Sequence, residues 1–111
     1  MKLEHQQLGR AAVVTLPARM MMTDAPSIRG AIRGLIDSGS RELVLDLSGV
    51  GQMDSSGLSV LISAWQSARK AGGDVVLAAP TLNVRSLIEL TRMHEVLEVY
   101  EDRAAAVARL S

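Results

Sequence analysis

The chain contains no cysteine and no phenylalanine, and Trp65 and Tyr100 are its only large aromatic side chains. Without cysteine there is no disulfide, no thiol nucleophile and no cysteine-based metal site. The two histidines, His5 and His94, lie far apart and neither belongs to a ligand-spaced cluster, so neither a metal nor a cofactor is expected. Twelve Lys and Arg balance twelve Asp and Glu, so no net field favours nucleic acid or an anionic membrane. No local basic run or set of exposed aromatics offsets that balance, and no nucleic-acid partner is expected. No apolar run approaches the length of a bilayer span. The start Met1-Lys2-Leu3-Glu4-His5 carries an acid and no apolar stretch, unlike a signal peptide. The expectation is a cytoplasmic, cofactor-free domain without a membrane partner.

What is present is apolar residues, at 48% of 111, enough to reject disorder and to build one core in a single domain over residues 1–111. Glu4 to Leu16 reads as two short strands broken at Gly9-Arg10, and Pro17 ends the second. After Met20-Met21-Met22, Thr23 or Asp24 caps a helix with Pro26 in its first turn, and Ile28, Ile32, Leu35 and Ile36 form its apolar stripe. Leu43 to Leu47 is a buried strand interrupted only by Asp46. Val75 to Ala79 is a second apolar strand, stopped by Pro80. Val84, Leu87, Ile88 and Thr91 repeat at helical spacing, with Thr81 or Asn83 available as cap. Val96 to Tyr100 reads as a last, half-exposed strand. Glu101 and Asp102 then open a terminal helix carrying Ala104, Val107, Ala108 and Leu110.

The most informative stretch is Met53-Asp54-Ser55-Ser56-Gly57-Leu58. It lies between the loop Ser48 to Gln52, marked by two glycines, and a helix whose stripe is Leu58, Leu61, Ile62, Trp65 and Ala68. Asp54, Ser55 and Ser56 are all good N-cap types, and such clusters ordinarily do no more than cap, with Gly57 easing the turn. A hydroxyl at this position is nevertheless exposed, and a phosphate on it would meet the positive end of the helix dipole.

The element order is β-β-α-β-α-β-α-β-α. Helical crossovers between non-alternating strands argue for parallel pairing. The predicted fold class is α/β: a sandwich with a mixed, mostly parallel sheet of four or five strands and about four helices.

This order, with Leu45-Asp46-Leu47-Ser48-Gly49-Val50 running into Met53 to Leu58, resembles the STAS domain family over essentially the whole chain. It is most similar to bacterial anti-sigma factor antagonists built as single STAS domains. The similarity continues through Ala71-Gly72-Gly73-Asp74-Val75-Val76-Leu77 to Val84-Arg85-Ser86-Leu87-Ile88-Glu89-Leu90-Thr91. The resemblance implies a protein that is itself no enzyme. Its unphosphorylated form would bind an anti-sigma factor serine kinase with a histidine-kinase-like ATP-binding fold and so release the sigma factor. Phosphorylation would block binding, and a metal-dependent serine phosphatase would restore it. The implied phosphoacceptor is the serine after the motif aspartate, Ser55, with Ser56 as fallback. Asp54, Ser55, Ser56, Gly57 and Leu58 are the implied partner-binding residues.

One segment departs from the family pattern. Where relatives often carry a Gly-acidic-apolar-Asp stretch, this chain has Ala18-Arg19-Met20-Met21. Met20 and Met21, with Met22, either form an adaptable partner-contact patch or fill a gap over the sheet edge. Asp46 reads as a buried group that orders the adjoining loop, Trp65 as core, and His94 as a loop residue. Arg85 and Arg92 sit on the polar face of their helix. A serine hydrolase is disfavoured because Asp-Ser-Ser-Gly is not a nucleophile elbow and both histidines are remote in sequence. The alternative within the resemblance is a constitutive STAS subunit of a lipid-transport ABC system or of a stress-signalling scaffold. Nothing in the sequence demands more than a monomer.

Overall fold

The computed structural model describes residues 2–111. In chain order these form β1 (Glu4–Leu8), β2 (Ala11–Thr15), β3 (Arg19–Met20), α1 (Ala25–Asp37), β4 (Glu42–Asp46), β5 (Gln52–Met53) and α2 (Ser55–Lys70). Then follow β6 (Asp74–Ala78), α3 (Leu82–Leu90), a 3-10 turn over Met93–Glu95, β7 (Val99–Tyr100) and α4 (Arg103–Leu110). The main sheet runs β1-β2-β4-β6-β7; β1 is antiparallel to β2 and every other pair is parallel. This is the predicted mixed α/β sandwich.

Strand periodicity explains why the sheet is covered on both sides. Leu43, Leu45, Val75 and Leu77 point to one face, where they pack with Ile28, Ile32 and Ile36 of α1 and Leu58, Leu61 and Ala68 of α2. The alternate residues Val13, Val44 and Val76 point to the other, where Ala106 and Leu110 of α4 cover them. Each fully buried aliphatic side chain stabilises by about 1.5–3 kcal/mol, so both layers hold the sheet.

Four expectations need correction. Gln52, read as the end of a loop, and Arg19, assigned to no element, belong to a separate two-stranded parallel ribbon, Arg19 opposite Gln52 and Met20 opposite Met53. Such short pairings leave no periodic signal. The last strand shrinks to two residues, because the 3-10 turn and the buried Leu97 take up the segment before it. In α4 the buried residues are Ala106 and Leu110, while Ala104 and Ala108 face outward. An eight-residue helix carries too few turns for small alanines to reveal its phase. Trp65 is half-buried at the margin of the core, with the Arg69 guanidinium carbon 5.4 Å from its ring centroid.

Candidate functional site

The serine pair sits where β5 turns into α2, and Asp54 makes that turn. Its extended backbone lets Oδ1 accept from the amides of Ser56 at 2.9 Å and Gly57 at 3.1 Å, satisfying two donors of the first helical turn. Its Oδ2 accepts from the amide of Met22 at 3.0 Å, tying the β3–α1 loop to the same helix end. Asp54 is therefore the cap. Ser55 is released from capping and lies exposed as the first residue of α2, with Ser56 half-buried behind it.

Gly57 is required by close packing. A Cβ there would lie 2.2 Å from the Met20 carbonyl oxygen and 2.8 Å from Met53 Cγ. The absence of a side chain lets the β3 backbone lie directly on the first turn of α2. Met20 is consequently fully buried, and Leu58 is buried in the same core. Of the expected partner-contact residues, Met20, Gly57 and Leu58 thus lie beneath the surface as packing groups, because the ribbon seals against the helix. Met21 is half-buried, and Met22, one residue on, is 69% exposed. Of the two readings of the methionine run, gap-filling describes Met20, whereas Met22 stands free beside Asp54.

The loop that delivers Ser55 is braced from several elements. Asp46 is 4% exposed; its Oδ1 accepts from the Ser48 amide at 2.9 Å and its Oδ2 from Arg103 Nε at 3.1 Å. Burial pushes this carboxyl up, but hydrogen bonds from Arg103 and Ser48 outweigh it and hold the group below the usual carboxylate range. Further along, the Gly51 and Gln52 amides donate to the Ala18 carbonyl at 3.0 and 3.2 Å. Thr81 Oγ1 donates to the Val50 carbonyl at 2.7 Å and Asn83 Nδ2 to that of Gly51 at 3.2 Å. Thr81 and Asn83, read as caps of α3, spend their side chains on this loop. Arg103 and Met22 carried no sequence signal of their own for this site, apart from Met22 belonging to the methionine run.

A second surface pair completes the site. Arg19 donates to Asp24 through Nε and a terminal nitrogen, both at 3.0 Å, and the Met21 amide donates to Asp24 at 3.0 Å. The Arg19 guanidinium, followed by the Met21 amide, holds the Asp24 carboxyl below its ordinary value. His5 lies on the outer strand β1 and His94 in the turn after α3, both exposed. Among the described residues no group of three His, Cys, Asp or Glu could hold a metal ion, and no helix is long and apolar enough to cross a membrane. The arrangement suits display: a rigidly held hydroxyl beside an exposed apolar side chain, with charges that are internally paired.

Comparison with known proteins bears on the family and the fold. A family model described as the STAS domain matches residues 2–106. BtrV of Bordetella bronchiseptica, named as an anti-sigma factor antagonist, is 26% identical over 108 residues, covering 97% of this chain and 93% of that protein. The structure of an anti-sigma factor antagonist from Mycobacterium paratuberculosis is similar with a TM-score of 0.88 at 24% identity, over 98% of this chain and 92% of the other. The Bacillus cell fate determinant SpoIIAA in its phosphorylated form is similar with a TM-score of 0.74 at 17% identity, over 98% and 99% of the two chains. The serine-bearing turn therefore sits in a shared fold, and the family match spans nearly the full length: the chain belongs to the STAS domain family.

Proposed function

We propose that this chain is a cytoplasmic anti-sigma factor antagonist that works as a phosphorylation-controlled partner switch, as a monomer. The observation that carries the reading is the division of labour between Asp54 and Ser55: the aspartate caps the helix, and the serine is left exposed at its start. Unmodified, the Ser55 face docks on an anti-sigma factor that is also an ATP-dependent serine kinase with a histidine-kinase-like fold, and the sigma factor is set free. The kinase then moves the γ-phosphoryl group of ATP to Ser55 Oγ, its own base taking the hydroxyl proton. A metal-dependent serine phosphatase reverses the step. The new phosphate brings close to two negative charges next to Asp54 in a surface meant for close approach. Repulsion and desolvation of that charge remove a few kcal/mol of binding, about a hundredfold in affinity or more. The names of the relatives support the antagonist role, and the local charge arrangement supports the switch.

The test uses Ser55→Ala and Ser55→Asp proteins as baits in lysate of the native host. A kinase of the stated fold retained by the alanine bait, lost from the aspartate bait, and able to phosphorylate wild-type protein at residue 55 supports the reading. A transporter ATPase or scaffold protein held equally by both baits overturns the switch and leaves a constitutive STAS subunit.

A further inference from the structure

Two carboxylates hold neighbouring amides of the β3–α1 loop. Asp24, the N-cap residue of α1, takes the Met21 amide, and Asp54, the N-cap of α2, takes that of Met22. The Met21-Met22 dipeptide is thereby stretched between the starts of both helices. Arg19 is bound to the first of these acids through two nitrogens on the exposed surface. It lies on β3 opposite Gln52 of β5, from which the chain runs through Met53 and Asp54 to Ser55. Three extended residues advance about 10 Å, within the combined reach of an arginine and a phosphoserine side chain.

The Arg19–Asp24 pair is bidentate but open to solvent on the arginine side, so a stronger acceptor nearby can compete for the guanidinium. A phosphoserine carries close to two charges and three strong acceptor oxygens, so it outcompetes a single carboxylate for a guanidinium. We propose that a phosphate on Ser55 draws Arg19 away from Asp24, making Arg19 a receptor within this chain for its own modification. Asp24 then keeps only the Met21 amide, and the side-chain link from β3 to the start of α1 is lost while both loop amides stay held. The modification alters the shape of the docking face as well as its charge. This inference deepens the proposed function and rests on Ser55 as the phosphate site.

The experiment installs phosphoserine at position 55 during translation, so it does not depend on finding the kinase. The second ionisation of the phosphate is followed by phosphorus NMR in the wild-type background and in Arg19→Gln, Arg19→Lys and Asp24→Asn. The wild-type value is expected to lie below that of Arg19→Gln by a few tenths to about one pH unit, the span an exposed ion pair supports. Arg19→Lys should restore part of the difference. Superimposable titrations in the wild type and Arg19→Gln overturn the proposal. If Arg19→Gln fails to fold, Asp24→Asn carries the test from the other side: freeing Arg19 must lower the value further, and no change overturns the proposal. A kinase that ignores Ser55 would remove the functional reading, whereas these titrations depend on the installed phosphate alone.

Discussion

Asp54 accepts the backbone amide of Met22 across 32 residues of sequence, at 3.0 Å, with the same carboxylate that caps α2. One side chain therefore sets both the start of the helix and the position of the loop next to Ser55. Replacing it by alanine removes three hydrogen bonds. A lost N-cap alone costs about 0.5–2 kcal/mol, and the Met22 link should place Asp54→Ala at or above the upper end of that range. Urea unfolding measures it. A loss equal to that of a simple cap in Asp102→Ala, whose carboxylate accepts from the Ala105 amide, would show that the Met22 bond contributes nothing.

Gly57→Ala tests the contact between the ribbon and α2. Overpacking costs about 1–3 kcal/mol. The obstacle here is the Met20 carbonyl, so the upper end applies. The better helix propensity of alanine returns about 1 kcal/mol, leaving a net loss of about 2 kcal/mol. A variant as stable as the wild type in denaturant would mean that the first turn of α2 does not lie against Met20.

Ser55→Asp should leave the fold intact. The position is exposed and at a helix start, where a negative charge is favourable by about 0.3–1 kcal/mol, and no packing is disturbed. Thermal unfolding of the aspartate and alanine variants should agree within a few degrees. A marked loss in Ser55→Asp alone would attribute any binding defect to unfolding rather than to charge.

Asp46 should make stability acid-sensitive. Its folded-state carboxyl titrates below the ordinary value because Arg103 and the Ser48 amide outweigh the effect of burial. A carboxyl depressed in the folded state stabilises fully above its unfolded value, about 3.9, and that contribution is lost as pH falls from there through the folded value. Asp46→Asn should therefore be less stable than the wild type at neutral pH by about 1–3 kcal/mol. The gap should narrow below about pH 4. Urea midpoints at pH 7, 5, 4 and 3 for both proteins give the answer, and a constant gap would separate this carboxyl from folding.

Much of this molecule was legible from patterns within single elements. The uninterrupted apolar strands, the stripe of α1, the Asp-Ser-Ser-Gly start of α2 and the glycines that end helices are signals carried by residues within a few positions of one another, which backbone geometry alone brings together. Those signals were enough for the α/β sandwich and the order of its major elements. They faded where elements were short, as in the two-residue β3, β5 and β7, or where side chains were small, as in the alanines of α4.

Tertiary structure decided what each residue at the site does. Local chemistry made Asp54, Ser55 and Ser56 equal candidates for the cap. The aspartate takes that role, and its second oxygen is drawn to an amide of another loop. Composition made the three methionines alike, yet Gly57 leaves room for the ribbon to bury Met20 while Met22 stays in solvent. Asp46 looked for loop amides and found one, but its main partner, Arg103, lies 57 residues away on the helix that covers the opposite face of the sheet. Periodicity reports which side of an element is apolar. Which polar groups meet across elements follows only once the sheet and its two layers have closed, because each buried carboxylate must then be satisfied by whatever donors the fold brings within reach.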